Sequence, residues 1–310
     1  MRVLVLGGCG FIGSHIVDAL VASGHQVCVY TRSGRNTDEF LSSVMYFQGD
    51  FCRAEGLDEA LQGVDVVIHC LSATTPSRGD ADYLVDINSN LVSTLHLLAK
   101  MEALNVKKLI YISSGGTVYG NPLTNPVTEE TPASPICSYG IIKFAIENYL
   151  GLASRKWGLK ATILRPSNVY GERQQLNTGQ GLISTVIYNA LCDKPLEIYG
   201  EGNAIRDFVY VRDVANLVVK TVGSDETGVY NVGSGRGMKV IETVNLIEKH
   251  LSFNVEKIYC PMRLFDVKAI VLGSKKAENI FGWSASTDIN VGIENQIIWV
   301  KEQLGCFRKN

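Results

Sequence analysis

The strongest constraint on this chain lies at its start, where the apolar run Val3 to Leu6 passes directly into Gly7, Gly10 and Gly13 and then into the helix-forming stretch Ser14 to Val21. Strand, tight turn and helix in that order open a βαβ unit. Glycine at these positions lets the backbone turn sharply and approach a pyrophosphate, whose charge is met by helix N-terminal amides and the helix dipole. A glycine turn that binds nothing can have the same spacing; placement on the first strand of an alternating pattern separates the two readings. Such a pattern follows. Gln26 to Tyr30, Val64 to Cys70, Lys108 to Ile112 and Ala161 to Leu164 read as further strands with helical periods between them. The best helical period is Asn88 to Leu104, where Leu91, Leu95, Leu98 and Met101 recur on one stripe. The alternation predicts an α/β fold, a doubly wound parallel sheet covered by helices on both faces.

With 310 residues the chain exceeds one average domain. After Arg165 the alternation gives way to glycine- and proline-punctuated segments, GERQQLNTGQG at 171–181 and CDKPLEIYGEG at 192–202. This places a dinucleotide-binding domain at 1–166 and a smaller α/β substrate lobe at 167–310, with 204–230 expected to return to the first. The 29 basic and 31 acidic side chains leave a net charge of −2, so nothing draws the chain to nucleic acid or an anionic membrane, and any anion must be held locally. The eight cysteines form no CxxC pair and the five histidines show no metal-ligand spacing, which points to a reduced cytoplasmic setting and no metal. No signal peptide or membrane-spanning stretch is read from the sequence.

Tyr139 and Lys143 fall one helical turn apart, after the segment TPASPICS and following the strand that ends in Ile112. A lysine at that spacing can stabilise a phenolate, and a tyrosine titrating near ~10 becomes a usable base only with such help. His69 lies within a strand run and reads as a core residue, and Trp157, Trp283 and Trp299 read as packing residues. The second strand ends Thr31-Arg32 where NAD sites usually carry an acidic residue for the ribose hydroxyls. Arg32, with Arg35, could meet the extra phosphate of NADP; equally, Thr31 and backbone amides could hold NAD with both arginines solvated.

These segments together resemble the extended short-chain dehydrogenase/reductases of the NAD-dependent epimerase/dehydratase family, and are similar to its UDP-galactose (UDP-glucose) 4-epimerases. The likeness runs through GGCGFIG at 7–13, GDF at 49–51, VIHCLSA at 67–73, Asn90-Leu91-x-x-Thr94, SSGGTVYG at 113–120, SYGIIK at 138–143, RPSNVYG at 165–171, IRDFVYVRDVA at 205–215, and Arg263 with Asp266. It implies a Rossmann fold. It also implies cofactor contacts at Gly7, Gly10, Phe11, Ile12 and Gly13, with Asp50 and Phe51 flanking the adenine, Leu71 and Ser72 along the centre, and Asn90 and Pro166 near the nicotinamide. Tyr139 would be the acid/base and Lys143 would hold the nicotinamide ribose. Asn168, Arg206 and Arg263 would meet the diphosphate of a sugar nucleotide, Asp266 its ribose, and Leu182 and Tyr199 its base.

One position departs from the family. The serine or threonine that bonds the reacting hydroxyl is Gly115 here, leaving Ser114 and Thr117 as substitutes. The acidic residues that dehydratases and decarboxylases carry in this segment are absent, which disfavours those reactions. The resemblance implies a 4-epimerase of UDP-glucose/UDP-galactose or their N-acetyl forms, working by transient oxidation with bound NAD. An NADPH-dependent reductase of a nucleotide 4-keto-sugar and a non-catalytic NAD(P)-binding regulator are the alternatives. The family further implies a homodimer joined through Asn88–Leu104 and Ser138–Ser154, and a role in polysaccharide biosynthesis.

Overall fold

The computed structural model describes residues 1–32, 43–74, 82–263 and 266–305. Its thirteen strands are β1 Arg2–Leu6, β2 Gln26–Thr31, β3 Met45–Gln48, β4 Val66–His69, β5 Lys108–Ile112, β6 Lys160–Pro166, β7 Asn168–Tyr170, β8 Leu196–Tyr199, β9 Ile205–Tyr210, β10 Gly228–Val232, β11 Gly237–Lys239, β12 Lys257–Cys260 and β13 Ala269–Ile270. Seven of them form one sheet in the order β10-β6-β5-β4-β1-β2-β3, every neighbouring pair parallel. The expected doubly wound α/β fold is present.

Buried strands of a two-faced sheet carry apolar side chains in both directions, and β1 shows it residue by residue. Val3 and Val5 enter a cluster with Ile16, Val17 and Leu20 of the Phe11–Ala22 helix and Val214, Leu217 and Val218 of the Val211–Val222 helix. Leu4 and Leu6 point the other way, toward Leu97, Leu98 and Met101 of the Ser93–Ala103 helix and Ile142, Ile146 and Leu150 of the Ser138–Trp157 helix. Each such fully buried side chain is worth roughly 1.5–3 kcal/mol. The order in which strands are added switches sides at β1 and β4, so the carboxyl ends of these parallel strands open the crevice in which such sheets bind ligands.

The helix expected over Asn88–Leu104 differs from its reading. It begins at Tyr83, and residues Ile87–Val92 form a π-helical segment before the α-helix resumes at Ser93. The wider turn breaks the stripe, so that Leu91 and Leu95 are only partly buried while Leu98 and Met101 are fully inside. Ser93 fits the widened turn by donating its hydroxyl to the Asn88 carbonyl, 2.9 Å away.

After Pro166 the chain enters a smaller lobe. There β9 pairs with β7, β11 and β13, while β8 pairs with β12. The helices Leu182–Leu191, Val240–Leu251 and Ile289–Gln303 share a core with Tyr170, Ile198 and Phe208. Within the 204–230 stretch β9 pairs in the smaller sheet while its Val209 packs into the first core, and the Val211–Val222 helix and β10 join the large sheet. Ala277, Phe281 and Trp283, inside the segment assigned to the second lobe, also pack into the first core. Trp283 is 3% exposed and donates its indole N–H to the Asp213 carbonyl, whereas Trp157 and Trp299 are partly buried at the margins of their cores.

Candidate active site

The glycine turn sits where β1 meets the crevice. Gly7 has φ +84°, and a Cβ there would stand 3.0 Å from the Leu71 amide nitrogen, so the turn lies backbone to backbone against the chain leaving β4. A Cβ on Gly13 would come 2.1 Å from the Gly7 carbonyl, which closes the turn onto the first helical residues. That helix starts at Gly10 with no side-chain cap and no acidic residue in its first turn, so no protein carboxylate competes for an anion at its amides. Phe11 and Ile12, the first two residues of this helix, are partly buried.

At the far end of β2, Thr31 is half-buried and Arg32 exposed. Arg35 lies outside the described residues. Asp50 accepts the amide of Cys52 at 2.9 Å and so shapes a short turn. Phe51, expected beside the adenine, is 6% exposed and packs edge-on against Tyr30 and His69. Its ring is committed to the core, which leaves its backbone as the part able to face a ligand. His69 is buried against Tyr111 and bonds Thr94 Oγ1 at 2.9 Å; burial lowers it to about 3 and keeps it neutral, as suits a core histidine.

A small cavity beneath the crevice brings together Leu71, Ser72, Asn90, Tyr139 and Lys143. Lys143 is 6% exposed; its ammonium donates to the Ile112 carbonyl at 2.9 Å and lies 5.5 Å from the centre of the Tyr139 ring. Burial lowers the lysine to about 8. The same burial raises the Tyr139 phenol above its ordinary value, opposed by a hydrogen bond with Ser72. The expected lowering of the phenol by its lysine neighbour is not what prevails: desolvation, with Cys137 and Asp86 nearby, disfavours the phenolate. Asn90 is fixed at both ends of its amide, accepting from Ala73 N at 2.9 Å and donating to Asp86 Oδ1 at 2.9 Å.

Gly115 has a structural reason. A Cβ there would lie 2.5 Å from Leu272 Cδ1 and 2.9 Å from the Arg165 carbonyl, so Leu272 fills the room a serine would need. Ser114 lies two residues beyond β5, directly before the Gly115–Val118 turn, and accepts the Val118 amide through its carbonyl at 3.0 Å. Thr117 belongs to the Gly115–Val118 turn, which presses on the helix start so closely that its carbonyl would be 2.9 Å from a Cβ on Gly140. Its hydroxyl is buried with no hydrogen-bond partner among the described residues. Neither Ser114 nor Thr117 bonds Tyr139; the hydroxyl that shares its cavity is Ser72, which donates to the Thr74 carbonyl at 3.0 Å. Pro166 closes β6 opposite Val232.

On the smaller lobe, Asn168 donates to the Asp207 carbonyl at 3.0 Å, and its amide stands 4.0 Å from where a Cβ on Gly116 would be, facing the same turn. Arg263 bonds Asp266 through two guanidinium nitrogens, each at 3.0 Å, and lies 4.1 Å over the ring of Tyr199. Burial pulls Arg206 below its ordinary range, Asp266 opposes this and Arg263 reinforces it, so the three charges face one another. Leu182 opens the helix Leu182–Leu191 half-buried.

Sequence reasoning missed what lies behind these residues. Glu147, one turn beyond Lys143, takes two bonds from Arg165 Nε, at 3.0 and 3.2 Å, and another from the Ser113 hydroxyl. Asp86, wholly buried, bonds Asn90, Thr74 and Ser138. Asp86 precedes Asn90 by four residues, so their sharing a helix face was readable had the helix been started early enough. The Glu147–Arg165 pair joins two segments by tertiary pairing and left no local signal.

The family model described as "NAD dependent epimerase/dehydratase family" matches residues 3–233 of this chain. The chain belongs to that family. It is 35% identical over 301 residues to a putative UDP-glucose 4-epimerase of Methanocaldococcus jannaschii, covering 96% of this chain and 98% of that protein. Among solved structures, the UDP-glucose 4-epimerase of Thermotoga maritima with UDP-glucose superposes with a TM-score of 0.93 at 30% identity, covering 98% of this chain and 100% of the other. The UDP-glucose 4-epimerase of Thermus thermophilus in complex with NAD gives 0.91 at 32% identity, covering 97% and 99%. The superpositions run over nearly the whole of each chain, so the α/β fold built on the seven-stranded parallel sheet is shared with them.

Proposed function

We propose that this protein is an NAD-dependent 4-epimerase of a UDP-sugar, UDP-glucose/UDP-galactose or their N-acetyl forms. The observation that carries the reading is the meeting of Tyr139, Lys143, Ser72 and Asn90 around one cavity at the point where the sheet order reverses. The residues present fit a dinucleotide: the Gly10 end of the first helix offers amides with no side-chain cap beside a turn with no room for side chains. Bound NAD supplies a ring that can accept a hydride and give it back.

The protein's own groups handle the proton. Tyr139 takes it from the sugar's 4-hydroxyl and later returns it to the same oxygen, which leaves no net change in the enzyme. Ser72 lines the same cavity as the phenol; Ser114 or Thr117 would hold the reacting oxygen from the opposite turn. Lys143, anchored on the Ile112 carbonyl, holds the nicotinamide ribose and carries positive charge toward the phenol. Arg206, Arg263 and Asn168 grip the diphosphate, Asp266 the ribose, and Tyr199 and Leu182 the base, so that the sugar can turn while its tail stays fixed. Gly7, Gly10, Phe11, Ile12, Gly13, Asp50, Phe51, Leu71, Asn90 and Pro166 line the cofactor's path, with 1–166 as the cofactor domain and 167–310 as the substrate lobe.

Purified protein given UDP-glucose without added cofactor is expected to form the galacto epimer with no net reduced-nicotinamide absorbance. Failure to convert it, together with oxidation of NADPH by a 4-keto-sugar nucleotide, overturns the reading in favour of the reductase that Thr31–Arg32 could serve. The nucleotide released on denaturation, NAD or NADP, is the companion measurement. No helix among the described residues is long and apolar enough to cross a membrane, and we place the enzyme in the cytoplasm. Tyr83, Leu84 and Val85, with Ile141, Tyr149 and Leu152 of the Ser138–Trp157 helix, are exposed apolar side chains suited to a homodimer built from these helices. Sedimentation equilibrium checks it: a monomer at micromolar concentration refutes the dimer.

A further inference from the structure

Behind Tyr139 lies a carboxylate that none of the roles above uses. Asp86 is 0% exposed at the C-terminal end of the short Tyr83–Asp86 helix, immediately before the π-helical segment. Its partners are neutral donors. Oδ1 accepts from the Thr74 hydroxyl at 2.6 Å and from the Asn90 amide at 2.9 Å, and Oδ2 accepts from the Ser138 hydroxyl at 2.6 Å. No lysine or arginine forms an ion pair with it among the described residues. A buried carboxylate without a paired cation is costly, and its three donors offset that cost only while each stays in place. The three donors come from the three segments that build the cavity: Thr74 from the chain after β4, Asn90 from the π-helical segment, and Ser138 from the residue before Tyr139.

We propose that Asp86 is a positioning residue for the reaction at Tyr139, its buried carboxylate locking Ser138 and Asn90 together so that the phenol and the Asn90 amide keep a fixed relation. The proposal rests on the epimerase reading for the reaction it serves. The π-helical segment supports it: the wide turn carries Asn90 back over Asp86, with the Asn90 amide also within 3.3 Å of the Asp86 carbonyl.

The surroundings of Tyr139 also isolate Asp86 electrically. Facing the phenol and its lysine are Asp86 from one helix, Lys143 and Glu147 from the second, Cys137 just before that helix, His69 and Cys70 from the end of β4, and Tyr111 from β5. Burial keeps His69 neutral, pushes Cys70 up to about 12 and Tyr111 well above its ordinary value. Glu147 is neutralised by Arg165. That leaves Lys143 and the Asp86 carboxylate, of opposite sign, as the side chains acting on the phenol, with the carboxylate raising it. Removing the negative one favours the phenolate.

The test is Asp86→Asn, with Ser138→Ala as a second variant that cuts the link to the Tyr139 helix without uncovering a charge. In NAD-loaded protein carrying ring-labelled tyrosine, the carbon resonance lost in Tyr139→Phe reports the phenol. Its titration in Asp86→Asn is expected about one pH unit lower than in the wild type, with the acid limb of kcat moving the same way. Both variants are expected to lose about ten-fold or more in kcat while KM for the UDP-sugar stays within about two-fold. An unchanged kcat in either soluble variant overturns the proposal, as does a phenol titration unmoved in Asp86→Asn or a loss of thermal stability in that variant with the acid limb unmoved. Wild-type protein that converts no UDP-sugar but shows the shifted phenol in Asp86→Asn sinks the epimerase reading and leaves the role of Asp86 toward Tyr139 supported.

Discussion

The cavity around Tyr139 and the edge carrying Arg263 use charge in opposite ways. Lys143 and Asp86 are buried and fixed by neutral partners at 2.6–2.9 Å, and burial lowers the lysine to about 8. Arg263 keeps a side chain 41% exposed, paired with Asp266 at 16%, in a bond that solvent screens. The first arrangement costs stability and holds geometry; the second costs little and can let go. A sugar nucleotide needs both, a firm point of chemistry and a tail grip that tolerates the sugar's turning.

The largest effect expected to sharpen this contrast is Tyr139→Phe, which should lower kcat by ~10² to 10⁴-fold with nucleotide affinity and melting temperature near wild type. Loss of cofactor binding in that variant would make the tyrosine a structural residue. Lys143→Met tests the cost of the buried cation. Folding lowers this lysine from 10.5 to about 8, so the unfolded chain holds its proton over a range where the folded one has released it. Stability from this group therefore rises with pH between about 8 and 10 and is missing below, a difference on the order of 3 kcal/mol across the full shift. Chemical denaturation of the ligand-free protein at a series of pH values should show that rise in the wild type and not in Lys143→Met.

Smaller is Gly115→Ser. The added Cβ meets Leu272, whose neighbours Tyr119, Val127, Val267 and Ile270 form a closed cluster, and overpacking of this kind costs about 1–3 kcal/mol. Combined with Leu272→Ala, the two losses should sum to less than their separate values, read from denaturant midpoints. The smallest stability effect is predicted for Arg263→Ala: unfolding unchanged within about 0.5 kcal/mol, since an exposed pair contributes little. Its kinetic signature should be a KM raised about ten-fold with kcat kept and a weaker dependence of KM on salt. If Arg263→Ala instead lowers kcat with KM fixed, the division between a firm centre and a loose grip is wrong.

The parts of this arrangement legible in the sequence are those set by local repetition. β1 and β5 are apolar over consecutive residues and the glycine turn is spaced by its own geometry, so each announces itself without reference to the rest. β3, Met45–Gln48, has two exposed residues in four and no apolar alternation, and becomes a strand by pairing with β2. The π-helical turn at Ile87–Val92 breaks the period that would reveal a helix, and so conceals Asp86. Tyr139 and Lys143 stand out because their residue types and spacing are chemical, and Arg206 and Arg263 only through the family resemblance; Ser138, Glu147 and Arg165 matter through partners far away in sequence. The family resemblance sets Phe51 beside the adenine, while the space between Tyr30 and His69 draws its ring inward, a tertiary effect with no local trace.

The return of the chain through the Val211–Val222 helix and β10 has an evolutionary consequence. Because β10 closes the sheet against β6 and that helix covers β1, a gene cut after residue 166 would yield a fragment with an open sheet edge and a bare apolar flank. The two lobes cannot be shuffled as cassettes joined at one seam. New substrate preferences in such an architecture have to arise by rewriting surface segments in place, within a single interlaced reading frame.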